Sequence, residues 1–187
     1  MVEIDKITPC HDSKFIKPKC VHYTQDGKAK KWEIVQTHDS VAILLYARDR
    51  DAFVLVKQFR PAVYLKNGDG YTYELCAGLI DKAEKSIETI AREEILEECG
   101  YDVPEEQLER ITSFFTAVGF AGGEQTLFFA EVDKRMQVSA GGGIEDEVIE
   151  VVDLPLEKAR NFMFDERIAK IPGLLFAFMW FFARNDR

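Results

Sequence analysis

The sequence predicts an α/β domain, and three observations carry the prediction. Residues 41–47 (VAILLYA) and 52–59 (AFVLVKQF) are apolar, β-branched runs joined by Arg48-Asp49-Arg50-Asp51, the pattern of a strand hairpin with a charged tip. Residues 87–99 carry apolar positions at helical spacing, beginning at Ile87, Ile90 and Ala91, and Gly100 ends the run. The C-terminal segment LLFAFMWFFARNDR is almost unbroken in apolar residues, yet too short to span about 30 Å of hydrocarbon, so it reads as a buried helix.

The elements follow in chain order. Residues 1–30 are polar and poorly periodic, and the Asp26-Gly27 turn signal predicts a small hairpin of residues 19–25 against 28–37 that carries Tyr23 and Trp32. The strand over residues 52–59 is stopped by Pro61, which lacks an amide donor, and this leaves Arg60 at a strand exit. A guanidinium placed there can grip a diphosphate with two parallel hydrogen bonds. Asn67-Gly68-Asp69-Gly70 marks a turn before a strand over residues 71–76. Beyond the central helix, strands are expected over residues 110–115 and 125–132, separated by the Gly-rich loop TAVGFAGGE, whose Phe120 is its candidate apolar contact with substrate. Residues 139–143 (SAGGG) read as a hinge leading to Ile144-Glu145-Asp146-Glu147, a strand over residues 148–152 and a short helix over 155–164. A hinged loop ending in carboxylates can carry a general base that closes over substrate, while composition alone favours an acidic solvated loop.

Residues 74–101 (ELCAGLIDKAEKSIETIAREEILEECGY) organise the rest. Ser86 is the expected N-cap, its hydroxyl accepting an orphaned amide of the first turn. The apolar stripe of the helix continues into Glu94 and Glu98, with Glu97 alongside. Carboxylates that prolong a buried stripe repel one another and lose hydration unless a multivalent cation neutralises them. They also lie at the C-terminal end of the helix, where the macrodipole disfavours anions. A magnesium site accounts for both features; a solvated acidic face accounts for neither.

These residues resemble the box of the Nudix superfamily, a Gly–five–Glu–seven–Arg-Glu-x-x-Glu-Glu-x-Gly pattern. The closing half, Glu94-Ile95-Leu96-Glu97-Glu98-Cys99-Gly100, matches in full. The flanking THDSVAILL, VLVKQFRPAVY, YELCAGLID and IEVVDLPLE are similar to the animal UDP-sugar/ADP-sugar diphosphatases of that superfamily, over nearly the whole chain. One departure stands out. Counted back from Gly100, Glu93 occupies the usual Arg position and Lys85 the usual Glu position, as if one residue were inserted before Ser86.

The resemblance implies an α/β/α sandwich, with a mixed sheet between the box helix and the C-terminal helix and a small N-terminal antiparallel β element. It divides the chain into a β extension (residues 1–39) and a Nudix hydrolase domain (residues 40–187). The implied reaction is metal-dependent cleavage of the pyrophosphate bond of a nucleoside diphosphate sugar, UDP-glucose first, with ADP-ribose or another ADP-sugar as the alternative and a catalytically inactive nucleotide-binding module as the third reading. Glu94 and Glu98 would be the main ligands of Mg²⁺ (Mn²⁺ as substitute), Glu97 would assist and the Ala77 carbonyl would complete the site. The resemblance makes Glu147 the first candidate base and Glu145 the second, puts Arg60 on the phosphates and gives Trp32 a stacking role. It also implies a homodimer assisted by the N-terminal sheet.

Composition narrows the classes further. A chain of 187 residues with 47% hydrophobic content and 14 Phe can build one sizeable core, not two full domains. A formal net charge of −9 argues against nucleic acid or an anionic membrane as partner, although a bound cation still admits an anionic small molecule. Cys10, Cys20, Cys76 and Cys99 lack zinc-like spacing, and with no apolar N-terminal stretch the expected compartment is the reducing cytoplasm.

Overall fold

The computed structural model describes residues 2–11, 13, 16–144 and 146–185. Strands β1 (Lys17–Gln25) and β2 (Lys28–Gln36) form a separate two-stranded sheet, in register from Lys17 opposite Gln36 to Gln25 opposite Lys28. Asp26 and Gly27 between them both have positive φ (52° and 73°), the left-handed pair that lets a two-residue turn follow the twist of its strands. Almost every residue of the ribbon is exposed.

A mixed seven-stranded sheet forms the body. Its strands are β3 (Ser40–Ala47), β4 (Ala52–Phe59), β5 (Tyr71–Glu74), β6 (Cys76–Leu79), β7 (Glu109–Thr116), β8 (Gly123–Val132) and β9 (Ile149–Pro155). β3 runs parallel to β8 along its length; β4 runs antiparallel to β9. Between them, β3 and β4 pair only from Leu45–Val54 to Ala47–Ala52. Beyond that point the two strands splay. The freed edge of β3 takes β6, from Ser40 opposite Leu79 to Ile43 opposite Cys76, and the freed edge of β4 takes β5, from Val56 opposite Glu74 to Phe59 opposite Tyr71. The expected single strand over residues 71–76 is therefore two, because the chain crosses the gap at the fully buried Leu75. Glu74 and Ala77 are brought to the mouth of this splay.

Alternation along β3 divides the core into two layers. Val41, Ile43 and Leu45 pack with Ile90, Ala91, Ile95 and Cys99 of the central helical segment. Ala42 and Leu44 pack on the other face with α3 (Leu156–Phe164) and α4 (Pro172–Asn185). The ring of Phe178 stacks on Phe53, 4.3 Å between centroids at 15°, which anchors α4 as the covering helix the apolar run predicts. Among the described residues, no helix is long and apolar enough to cross a membrane.

Two helical features depart from the expectation. Pro61 does more than stop β4: it opens α1 (Pro61–Asn67), since proline at a first helical position forfeits no hydrogen bond, and left-handed Gly68 closes it. The central helix is not uniform. α2 (Ile87–Glu94) passes into a π-helical turn over Ile95–Cys99, ended by left-handed Gly100.

Candidate active site

The acidic centre is built from the C-terminal half of that helical segment against β6. Ser86 caps α2 as expected, its Oγ accepting from the Thr89 amide at 3.0 Å. Ile90 and Ala91 fill the core, and the wide turn that follows buries Ile95 and Cys99 while Glu98 is left only 5% exposed. π turns of this kind recur at functional positions because they re-aim side chains that an α turn would carry past the site.

Glu98 is held from below. Its Oε2 accepts from the Ala77 amide at 2.9 Å. Burial pushes the neighbouring Cys76 thiol well up. Burial likewise lifts Glu98 to about 7, opposed by the hydrogen bond from Ala77 and reinforced by the charges of Glu147 and Glu74. Glu94 rises further, to about 8, through burial first and then the neighbouring Glu98, Glu97 and Glu147, with Lys82 opposing.

The backbone leaves room for this crowding. A Cβ placed on Gly78 would stand 2.0 Å from the Glu94 carboxyl, so only glycine admits that side chain against β6. Among the described residues, no three His, Cys, Asp or Glu side chains already stand at the spacing of a closed metal cluster. The donor set is nonetheless all oxygen and anionic, the chemistry of Mg²⁺, Mn²⁺ or Ca²⁺ rather than zinc, and Mg²⁺ keeps several waters instead of requiring a protein cage. Partly buried carboxylates that hold protons at neutral pH are groups from which a divalent cation can displace those protons. The residues fit a hard divalent ion.

The departure in the first half of the box proves to be a reversed ion pair. Lys85 Nζ donates to both Glu93 oxygens, at 2.5 and 2.7 Å, and Lys82 adds a longer contact at 3.5 Å. Lys85, in the usual Glu position, thus meets Glu93, in the usual Arg position, with the charges exchanged.

Glu147 belongs to the same electrostatic group, since its charge acts on Glu94, Glu98 and Arg60. It is exposed, and its Oε2 accepts from the Ile144 amide at 3.1 Å. Glu145 lies outside the described residues. The SAGGG segment, expected to be a hinge, is docked in the structure. Gly142 and Gly143 donate their amides to the carbonyls of Glu98 and Glu97, at 2.8 and 3.1 Å, and Ser139 donates to Gly100 at 3.2 Å. These bonds use helix-end carbonyls that would otherwise lack donors. The loop leading to Glu147 is thus tied to the acidic helix itself at Gly142 and Gly143.

Arg60 stands at the strand exit as expected, but its fork is engaged. Nε and Nη2 each donate to the Glu74 carboxylate at 2.8 Å, and Thr72 Oγ1 donates to the same carboxylate at 2.5 Å. Glu74 and Gly78 stand at the site although the sequence reading gave them no role. Trp32 and Phe120 form a second locus. Trp32 Nε1 donates to the Gly119 carbonyl at 2.8 Å and Val35 to the Phe120 carbonyl at 2.7 Å, which docks the N-terminal ribbon on the Gly-rich loop with both aromatic side chains more than half exposed. Among the described residues, their hydrogen bonds and ring contacts do not reach the carboxylates.

Comparison with known proteins agrees with this architecture. The family model described as the NUDIX domain matches residues 36–172. The chain is 42% identical to the uridine diphosphate glucose pyrophosphatase NUDT14 of Bos taurus, covering 93% of this chain and 91% of that one. It is 37% identical to the protein of the same name from Mus musculus, with 94% and 91% covered. A GDP-mannose pyrophosphatase of Cronobacter sakazakii is 38% identical across 72% of this chain and 70% of its own.

Proposed function

Because the chain belongs to the NUDIX family, we propose that it hydrolyses the pyrophosphate bond of nucleoside diphosphate sugars, with UDP-glucose, cleaved to UMP and glucose 1-phosphate, as its first substrate. The observation that carries the reading is the acidic pair Glu94 and Glu98, half-buried and buried, seated on β6 at Ala77 and Gly78, in a chain whose relatives carry diphosphate-sugar pyrophosphatase names.

Glu94 and Glu98, assisted by Glu97 and the Ala77 carbonyl, are the residues that would hold Mg²⁺, with Mn²⁺ as a substitute. Such an ion supplies charge neutralisation along the diphosphate and acidifies a bound water. The side chains around it do the rest. Glu147 accepts the proton of the attacking water, with Glu145 as the second candidate for that role. The water oxygen bonds to phosphorus, the bridging P–O bond breaks, and the leaving phosphate departs as a monoester. Arg60 steadies the non-bridging oxygens with the donors that Glu74 leaves free. Trp32 and Phe120 offer exposed aromatic faces to the base or sugar, and ADP-ribose is the alternative substrate.

The four cysteines are all free, which supports a reducing, cytoplasmic setting. The ribbon of β1 and β2, exposed along almost all of both strands, supports assembly as a homodimer. A panel of UDP-, ADP- and GDP-sugars ranked by kcat/KM tests the assignment; turnover of none would favour a binding module.

A further inference from the structure

Glu74 is a buried carboxylate to which neither the family pattern nor the proposed chemistry gives a role, and its surroundings are specific. It lies opposite Val56 in the β4–β5 register, so it shares the sheet face that packs against the acidic helix. Both of its oxygens are taken by Arg60, and Oε1 also receives the hydroxyl of the equally buried Thr72, itself opposite Gln58. The pair joins this buried carboxylate to a guanidinium side chain that is 47% exposed, and an ion pair open to solvent on one side adds little to the stability of a fold. The pair also stands beside other anions: Arg60 feels the charges of Glu98 and Glu147. A long cationic side chain without a fixed partner at that place would turn to those carboxylates and neutralise the centre that has to receive a cation.

We propose that Glu74 is a positioning residue. It clamps Nε and Nη2 of Arg60, keeps the guanidinium off Glu98 and Glu147, and presents the remaining Nη1 edge to the anionic oxygens of the substrate, while Thr72 fixes Glu74. Arg60 is thereby oriented before substrate arrives, and the entropy of ordering its side chain is spent in folding rather than in binding. This inference rests on the reading that Arg60 contacts the diphosphate.

The test is a double-mutant cycle in the full chain with whichever nucleoside diphosphate sugar the wild-type chain hydrolyses. Arg60→Ala is expected to raise KM about tenfold or more, the loss of a charge-assisted hydrogen bond. Glu74→Gln, of the same shape, is expected to raise KM about fivefold in the wild-type background and to have no further effect beyond about twofold in the Arg60→Ala background. Thr72→Val is expected to act in the same direction, more weakly. Circular dichroism and thermal melts accompany each variant, and Thr72→Val stands in if Glu74→Gln does not fold. Equal effects of Glu74→Gln in both backgrounds, or none in either, would overturn the positioning role. An unchanged KM in Arg60→Ala would instead overturn the reading of Arg60, and no turnover by the wild-type chain would overturn the proposed reaction together with this inference.

Discussion

Lys85 and Glu93 form a close ion pair across the loop that precedes the acidic helix, with Nζ 2.5 and 2.7 Å from the two carboxylate oxygens. Glu93 immediately precedes Glu94, so the pair fixes the approach of the helix face that carries the proposed ligands. Lys85 holds Glu93 below the ordinary carboxylate range, and Lys82 helps.

The pair predicts a charge-swap rescue. Lys85→Glu should lower kcat about tenfold, the usual effect of disturbing a partner behind metal ligands, with a small loss of thermal stability because the new charge repels Glu93 in a pair whose side chains are 30% and 27% exposed. Lys85→Glu combined with Glu93→Lys should restore most of the activity. A double variant no better than the single one would show that charge complementarity is not what the pair contributes.

Gly78→Ala should separate activity from stability. The new methyl would meet the mobile end of Glu94 rather than backbone, so the fold can yield by moving that carboxyl. A displacement of this kind should reduce kcat about a hundredfold with little change in melting temperature. Wild-type activity in Gly78→Ala would place Glu94 outside the reaction.

The metal-free protein should lose stability as pH rises. Glu94 at about 8 and Glu98 at about 7 stand above the ordinary carboxylate value of 4.5, so folding favours their protonated forms. That contribution is complete below the ordinary value and is lost as pH climbs through about 7 and about 8. Melting temperature without divalent cation should therefore fall from pH 4.5 up to about pH 8. Added Mg²⁺ should reverse the fall, and Glu94→Gln should flatten it. A melting temperature independent of both pH and Mg²⁺ would contradict the shared acidic centre.

Glu147→Gln should reduce kcat by about 10²- to 10⁴-fold if Glu147 accepts the water's proton. The comparison is Glu145→Gln, and a large loss there with near-normal kcat in Glu147→Gln would reverse the assignment.

Much of this arrangement was legible in the sequence because it is local. The Asp26-Gly27 turn, the Ser86 cap, the Gly100 stop and the run from Glu94 to Glu98 each depend on neighbours a few residues away. The unforeseen parts depend on register. Arg60 meets Glu74 only because β4 and β5 pair with Val56 opposite Glu74, and the splay of β3 from β4 that admits β6 leaves no periodic mark. The π turn at Ile95–Cys99 looks like ordinary helix at the level of spacing. Residues 139–143 read as a hinge because glycine composition reports freedom, whereas their docking depends on carbonyls at the end of a distant helix. The exchange of Lys85 and Glu93 was visible as a departure from the family pattern; that the two charges meet was visible only in three dimensions.

The most direct measurement of the central claim follows UDP-glucose by phosphorus NMR with the wild-type chain and with Glu98→Gln, in Mg²⁺ and in excess EDTA. The wild-type chain in Mg²⁺ should convert the diphosphate resonances to two monoester resonances, UMP and glucose 1-phosphate, and both EDTA and Glu98→Gln should prevent the conversion. Cleavage that continues at the same rate in EDTA, or in Glu98→Gln, would contradict a metal site on the acidic helix.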